Sequence, residues 1–286
     1  MAERISLNIS LSLLIGIFVL YLATVLSFLT KQSITMLPAL IATVCAVTIP
    51  LKIYGFSHKT GVVSLISIAC IFLVSGYVSG KIMDMSYDGQ WYHQMGIIFL
   101  KKGWNPIYMP AQTFLQQNWQ IQLNGVEYVD GYPKFAEIVA ANIFYLTENI
   151  ELGKILNFLS LAILGFYAFY IFDQYIFSKQ RSWSIIGAGL LLINPVILAQ
   201  LHTFYVDGLV YIYLMLMIFA ILDIEQSNFY NKTAWSILIM SAVILANIKI
   251  VGLVYAVEIL FFYALYLCFL RKRDTAKILQ RNSLII

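Results

Sequence analysis

Long apolar stretches dominate this 286-residue chain and leave it few ways to fold. Several reach or approach the roughly 20 residues that an α-helix needs to cross the hydrocarbon core of a bilayer. They lie near residues 7–30, 35–53, 61–80, 154–177, 183–204 and 207–224. Apolar residue types make up 61% of the chain and charged types 11%, against about a half and a quarter in soluble domains. The sequence therefore excludes an ordinary water-soluble enzyme and predicts an all-α, polytopic membrane protein.

One further apolar stretch, residues 233–270, is too long for a single crossing. As one helix it would extend about 57 Å at 1.5 Å per residue, nearly twice the hydrocarbon thickness. We expect it to fold back near Asn247, Lys249 and Gly252 and to cross twice. The first stretch is longer than a signal-peptide core and no small-residue cleavage site follows it, so it is interpreted as a retained anchor. The total is about eight transmembrane helices.

Positive charge predicts the orientation of these helices, because lysine and arginine favour cytoplasmic loops. One group of basic residues lies at alternate ends of the predicted helices. They all face the cytoplasm if residues 134–148 enter and leave the membrane on the same side. These positions are Arg4, Lys52, Lys59, Lys179, Arg181, Lys232 and the cluster Arg271, Lys272 and Arg273. We therefore predict that 134–148 is an interfacial or re-entrant helix and that the polar residues 81–133 form one large external loop.

The chain then divides into four parts by composition. Residues 1–80 hold N-terminal transmembrane helices, and 81–153 form the external loop with its amphipathic and re-entrant helices. Residues 154–270 hold the remaining transmembrane helices, and 271–286 form a basic cytoplasmic tail. The three cysteines lie in apolar runs without metal-ligand spacing, and the net charge of +4 is too small to favour nucleic acid.

Acidic residues open the predicted external loop. Asp84 and Asp88 are four residues apart and would share one face if this stretch is helical. A carboxylate there can act as a general base, but either residue can instead simply cap a helix.

An amphipathic helix is predicted to follow. It should lie in the plane of the membrane surface and end near Gly103, which can supply a C-cap. His93 falls off its apolar side, which is formed by Trp91, Met95, Ile98, Phe99 and Lys102.

A second polar cluster, residues 127–137, precedes the short helix predicted at 134–148. It contains three acids, Glu127, Asp130 and Glu137, and Lys134. The cluster can contribute a cation to an external site, or Lys134 can extend toward lipid headgroups from an ordinary turn.

Two charged residues lie where apolar helices meet. Asp207 stands between two apolar helices with almost no loop, and Lys249 stands at the predicted fold-back. Charges near hydrocarbon are unfavourable by several kcal/mol unless paired or hydrated, so both are functional candidates. The plainer alternatives are a helix cap for Asp207 and a helix-end lysine that reaches the interface for Lys249.

Taken in order, these motifs resemble the GT-C glycosyltransferases, in the branch of protein O-mannosyltransferases and lipid A aminoarabinose transferases. Residues 88–92, D-G-Q-W-Y, resemble the acidic D-E-x-x-Y motif of the first external loop, with Gly89 in place of glutamate. Residues 131–135, G-Y-P-K-F, are similar to a K-P-P-like motif, with proline and lysine in a different order. Asp207 before an apolar helix and the turn from Asn247 to Gly252 match later features.

The resemblance implies transfer of a sugar from a polyprenyl-phosphate donor at the external face of a bacterial cell membrane. Asp88, with Asp84 and Asp207, would be catalytic, and Tyr92, His93, Lys134 and Lys249 would bind substrate. Three convergent carboxylates also permit a divalent cation. The acceptor, a glycan, lipid or protein, is left open. Relatives generally have one crossing before the loop and more helices after it, so the resemblance implies a shortened member.

Other classes of membrane protein are compatible with parts of this pattern. A secondary transporter would use Asp207 and Lys249 as an ion or substrate site, but its site is expected at the membrane midplane between repeats. A polysaccharide polymerase or ligase of another fold, or a scaffold without activity, would favour paired arginines in the loop, and residues 81–133 contain no arginine.

Overall fold

The computed structural model describes residues 2–52, 54–120 and 124–271, and every regular element within these ranges is helical. Most of the predicted basic tail, residues 272–286, lies outside the described residues. The helices are α1 (Ala2–Leu29), α2 (Leu37–Lys52), α3 (His58–Lys81), α4 (Gln94–Lys101), α5 (Ala111–Trp119), α6 (Val126–Gly131), α7 (Phe135–Thr147), α8 (Ile155–Ile171), α9 (Arg181–Leu192), α10 (Pro195–Gln200), α11 (Asp207–Gln226), α12 (Lys232–Ile248) and α13 (Ile250–Leu265). Short π-helical segments lie at Gly89–His93, Phe172–Ile176 and Tyr266–Arg271, and a 3-10 turn lies at Ile150–Lys154.

Five helical segments of the described chain are long and apolar enough to cross a membrane, which makes this an integral membrane protein. They are Ala2–Leu29, His58–Lys81, Ile150–Ile176, Asp207–Gln226 and Ile250–Phe269. Shorter apolar helices stand at Leu37–Lys52, Phe135–Thr147, Arg181–Leu192 and Lys232–Ile248. The all-helical class and the membrane location are confirmed, and the number of eight crossings stays a prediction.

Local sequence signals explain where several helices begin. The Ser57 hydroxyl accepts a hydrogen bond from the Thr60 amide at the start of α3, at 3.2 Å. The Asn231 side chain caps α12 in the same way by accepting from the Thr233 amide at 3.0 Å. Asn194 caps α10, whose first residue is Pro195. This cap interrupts the predicted stretch 183–204, which forms α9 and α10 instead of one helix.

The predicted fold-back at Lys249 is confirmed. α12 ends at Ile248, Lys249 is extended, and α13 begins at Ile250 and packs along α12. A Cβ at Gly252 would lie 2.2 Å from the carbonyl oxygen of Leu245, so only glycine permits so close a return.

Two contacts fix the direction of α13 relative to α11. Lys249 pairs with Asp207 at the first turn of both helices, and the Tyr263 hydroxyl donates to Glu225 near their other ends. α11 and α13 are therefore parallel, with α12 antiparallel to both. The Tyr21 hydroxyl donates to the Asn247 side chain at 3.0 Å, which brings the end of α1 to the end of α12.

Residues 81–120 and 124–133 contain α4, α5, α6 and the π-helical segment Gly89–His93. They lie against this same end of the bundle, here called the site end: the ends of α1, α3 and α12 and the starts of α8, α11 and α13. The Asn105 amide donates to the carbonyl oxygen of Phe28, the last residue but one of α1, at 2.8 Å. α4 ends at Lys101, and Gly103 has the left-handed φ of +98° that the predicted C-cap requires. α7, predicted at 134–148, spans 13 residues, or about 20 Å, which is short of the hydrocarbon thickness of about 30 Å.

Candidate functional site

Asp84 connects the start of the loop 81–133 to the segment before α11 by hydrogen bonds. Its buried carboxylate accepts hydrogen bonds from the backbone N–H of Ser86 and of Phe204, both at 2.8 Å. The predicted helix face shared with Asp88 is wrong, because Asp84 lies in an irregular segment. An aspartate that binds the amide two residues on stabilises a turn in competition with a helix. These contacts make Asp84 a residue that positions the loop.

Position 89 has no room for a side chain. A Cβ on Gly89 would lie 2.1 Å from Oδ2 of Asp84 and 2.2 Å from Oγ of Ser86. Glycine is the residue that fits beside the Asp84 carboxylate and the Ser86 hydroxyl.

Asp88 stands at the rim of the site and is half-buried. Its Oδ2 accepts a hydrogen bond from the Tyr92 hydroxyl at 3.3 Å, and its backbone N–H donates to the Tyr205 hydroxyl oxygen at 3.5 Å. Its Oδ1 makes no hydrogen bond with a residue that the structure describes. One carboxylate oxygen is therefore open to a substrate. The π-helical segment Gly89–His93 follows directly, and such segments occur frequently at functional sites.

Tyr92 packs behind Asp88. Its ring stacks on that of Tyr132 at 5.3 Å with an interplanar angle of 8°. Burial, and then the charge of Asp88, raise the pKa of Tyr92. The phenol therefore keeps its proton and stays a hydrogen-bond donor to Asp88.

His93 forms a buried pair with Glu137 of α7. Its Nδ1 lies 2.7 Å from Oε1 of Glu137, and His93 is 3% exposed. The helical pattern predicts His93 on the polar side of the loop helix, and the structure corrects this, because α7 covers that side. Burial by itself would raise the pKa of Glu137, but the hydrogen bond from His93 and the charges of His93 and Lys134 outweigh it and lower the pKa.

Lys134 lies half-buried at the start of α7. Its ammonium donates to the carbonyl oxygen of Tyr132. Burial lowers the pKa of Lys134, and the nearby carboxylates of Glu137 and Asp130 offset part of that effect. Both carboxylate oxygens of Asp130 share one bifurcated hydrogen bond from the Ala111 amide, which holds the start of α5.

Asp207 and Lys249 form an ion pair at the mouth of the bundle. Nζ of Lys249 lies 2.7 Å from Oδ1 of Asp207, and the two side chains are 32% and 47% exposed, respectively. Gln200 donates to Oδ2 of Asp207 at 3.2 Å and accepts from the Gly208 amide at 2.7 Å. Gln200 thus caps the start of α11. The Asp207 carboxylate does not act as the cap and binds Lys249.

Sequence reasoning missed one buried cation, Lys154. Its ammonium donates to Glu151 and to the carbonyl oxygen of Ile82, and Glu151 also accepts from the Asp84 amide at 3.0 Å. The Lys154 side chain is wholly buried. The spacing of three residues between Glu151 and Lys154 is visible in the sequence. The backbone groups that the two side chains bind, at Asp84 and Ile82, lie about 70 residues away in the sequence.

A small cavity lies beside the His93–Glu137 pair and Lys154. It has a volume of about 10 Å³, roughly the space of one water molecule. His93, Glu137, Lys154 and Tyr205 line it. Oε2 of Glu137 is buried without a protein hydrogen bond, so it can bind a water there.

Within residues 2–52, 54–120 and 124–271, no three histidine, cysteine, aspartate or glutamate side chains are grouped to hold a metal ion. Asp84 directs both carboxylate oxygens at backbone amides, and Asp207 is paired with Lys249. This arrangement does not fit the three-carboxylate cation site that the sequence permits.

The structure thus brings the predicted residues to one end of the bundle as three neighbouring groups. They are Asp88 with Tyr92, His93 with Glu137 and Lys134, and Asp207 with Lys249. In comparisons with known proteins, no family model, no curated protein and no solved structure matches this chain.

Proposed function

We propose that this protein is a membrane glycosyltransferase of the GT-C type, which moves a sugar from a polyprenyl-phosphate donor to an acceptor hydroxyl. The observation that supports this most is the meeting of Asp88 with the segment that leads into Asp207. Asp88 contacts Tyr205, two residues before Asp207, across more than 100 residues of sequence. An open carboxylate and a partly exposed lysine thereby lie at the same end of one apolar bundle.

Asp88 serves as the general base in this proposal. Its carboxylate takes the proton of the acceptor hydroxyl while that oxygen forms a bond to the anomeric carbon of the donor sugar. The bond between the anomeric carbon and the phosphate oxygen breaks, and polyprenyl phosphate leaves with the electron pair. Asp84 and Tyr92 hold Asp88 in place and do not exchange protons with the substrate.

Lys249 stabilises the leaving phosphate. Its ammonium has three donors, of which Asp207 uses one. Two donors are left for phosphate oxygens, where a charge-assisted contact is strongest. Lys134 is a second candidate cation, although its ammonium now binds Tyr132.

The proposal places the site end outside the cell, with eight crossings formed by α1, α2, α3, α8, α9 with α10, α11, α12 and α13. Basic residues at the opposite helix ends support this orientation.

The experiment is sugar transfer by the purified protein in detergent, from a panel of radiolabelled polyprenyl-phosphate sugars. Asp88→Asn removes the base and keeps the shape, so we expect transfer to fall by roughly 10²–10⁴-fold. Glu127→Gln is the matched control, because Glu127 is an exposed loop carboxylate, and it should transfer at the wild-type rate. An Asp88→Asn variant with normal turnover, or a wild type inactive with every donor, contradicts the proposal.

A further inference from the structure

Five aromatic rings beside Asp88 form a continuous array that reaches the surface of the loop. Neighbouring rings lie 5.0–5.9 Å apart between their centroids. In order of contact they are Tyr87, Trp91, Tyr128, Tyr92 and Tyr132. Tyr87 is 69% exposed and Tyr128 is 42% exposed, so the array is not only internal packing. It presents aromatic surface to the outside of the protein next to the candidate site.

Local structure holds these rings in place. Trp91 lies against the turn at Gly125, where a Cβ would come within 2.3 Å of the indole nitrogen. Gly125 also has a left-handed φ of +88°, so glycine meets both requirements of this turn. The helix α6 buries its two valines and leaves Tyr128 exposed beside Trp91. The aromatic array is therefore supported by the packing beneath it.

The charges around the aromatic array disfavour an anionic ligand. Residues 82–100 and 124–133, which carry all five rings, contain no lysine or arginine. Lys134, the next residue, is half-buried and donates to the carbonyl oxygen of Tyr132. A helix among anionic headgroups, or a phosphate site, is expected to present cations. The face of an aromatic ring carries partial negative charge and attracts the C–H face of a neutral sugar, whose hydroxyls stay free at its edge.

The aromatic array meets the candidate site at Asp88. Tyr92 contacts the ring of Tyr128 and donates a hydrogen bond to Oδ2 of Asp88, whereas Oδ1 makes no hydrogen bond with a described residue. Tyr87 adjoins Asp88 in the sequence. A ligand that stacks on the exposed rings therefore lies beside the open carboxylate oxygen.

We infer that the acceptor is a neutral glycan, whose sugar rings stack on Tyr87 and Tyr128 and present a hydroxyl to Asp88. The inference rests on the proposed function and specifies its acceptor. Asp88 takes the hydroxyl proton while the glycosidic bond forms, and polyprenyl phosphate leaves with the electrons of the broken bond.

Oligosaccharide binding in the absence of donor tests the acceptor surface apart from transfer. Purified protein in lipid nanodiscs is titrated with neutral oligosaccharides of glucose, galactose, mannose and N-acetylglucosamine. We expect binding of at least one, and Tyr87→Ala and Tyr128→Ala should each weaken it roughly tenfold, whereas Tyr128→Phe keeps the ring and the affinity. Tyr230→Ala is the matched control, because Tyr230 is 88% exposed at the opposite end of the bundle, and it should bind as wild type does.

Two results of this titration overturn the inference. One is a wild type that binds no oligosaccharide, or alanine variants that bind as tightly as wild type. The other is binding of phosphocholine alone, lost in Tyr128→Ala, because aromatic rings also attract quaternary ammonium groups and the array would then be a headgroup site.

Transfer kinetics separate this inference from the proposed function. With an active donor, Tyr128→Ala should raise KM for the acceptor glycan roughly tenfold and leave kcat near the wild-type value. Transfer to a peptide or a sugar-free lipid, with no oligosaccharide bound, overturns the glycan acceptor and leaves the glycosyltransferase standing. Oligosaccharide binding without transfer from any donor retains the array as a glycan surface and contradicts the proposed function.

Discussion

At the scale of single residues, Lys249 is placed by chain geometry as much as by its own charge. Gly252 allows α13 to return against Leu245, and the return leaves Lys249 extended at the turn, within 2.7 Å of Asp207. A lysine inside either apolar helix would be unfavourable by about 3 kcal/mol, whereas at the turn it reaches water and its partner.

Lys249→Met should weaken binding of a polyprenyl-phosphate analogue by roughly ten- to hundredfold, because a charge-assisted contact of about 1.5–3 kcal/mol is lost. Titration of the analogue against purified protein measures this. Lys81→Met, at the exposed end of α3, is a control for the loss of one positive charge.

A double variant separates phosphate binding from the neutralisation of Asp207. If Lys249 binds phosphate, then Lys249→Met with Asp207→Asn stays as weak as Lys249→Met alone. Recovery of wild-type affinity in the double variant would show that Lys249 acts only as the partner of Asp207.

Gly89→Ala should destabilise the protein by about 1–3 kcal/mol, because the new Cβ displaces the Asp84 carboxylate from the Ser86 and Phe204 amides. Thermal unfolding in detergent measures the effect. Gly131→Ala is the matched control, since its Cβ position faces open space. The added loss should be small in a background with both Asp84→Ala and Ser86→Ala, which removes the two atoms that the new Cβ meets, and full additivity there would contradict the proposed clash.

At the scale of elements, the pair of His93 and Glu137 joins the π-helical segment Gly89–His93 to α7. Both side chains are buried, and their atoms lie 2.7 Å apart. Because α7 also carries Lys134 at its start, this one contact sets the position of the cation relative to Asp88. The pair links the two polar clusters that the sequence presents as separate.

Stability should depend on pH through Glu137. Its pKa is lower in the folded protein than the ordinary value of 4.5, so its stabilising contribution is complete above that pH and is lost as the pH falls through the folded pKa. Glu137→Gln should unfold more readily at pH 7 by about 1–3 kcal/mol and should lose less stability below pH 4.5 than wild type does.

Glu148→Gln is the control for that experiment. Glu148 pairs with Lys101, but its side chain is 75% exposed, so the pair contributes little. Thermal unfolding from pH 7 to pH 3 compares the three proteins. Parallel curves for wild type and Glu137→Gln below pH 4.5 would show that Glu137 is not the titrating group.

The sequence predicts the helices better than it predicts which side chains contact one another. Apolar length predicts the long helices, and local chemistry predicts the C-cap at Gly103 and the break at Lys249. Asp84 is misplaced because its partner Phe204 lies 120 residues away, and no periodicity reports such a contact. For the same reason the burial of His93 and Lys154 is visible only once the chain is folded.

At the opposite end of the bundle, Asp223 shows the same limit. Its carboxylate accepts hydrogen bonds from the hydroxyls of Tyr167 and Tyr175 and from the Asn231 side chain. Hydrogen bonds of this number satisfy a buried carboxylate. Asp223, a second acidic residue of the apolar helix α11, therefore connects α8, α11 and the start of α12. It does not mark a second functional site.

At the scale of the whole molecule, the position of α7 decides the orientation of everything after it. α7 packs against α4 and against the 3-10 turn Ile150–Lys154, and both of its ends stay near the site end. If α7 does not cross the membrane, the five proposed crossings from α8 onward keep their basic ends in the cytoplasm. If it crosses, Lys179 and Arg181 move to the outside.

Thiol labelling in intact cells distinguishes these two topologies. On a background without Cys45, Cys70 and Cys268, Asn124→Cys and Glu148→Cys should react with a membrane-impermeant reagent. Ser178→Cys and Tyr230→Cys should react only after the cells are permeabilised. All four positions are exposed, so a lack of reaction reports the membrane and not burial in the protein. Protection at 148 with labelling at 178 would mean that α7 crosses, and Asp88 and Lys249 would then face opposite sides of the membrane, where no single substrate can meet both.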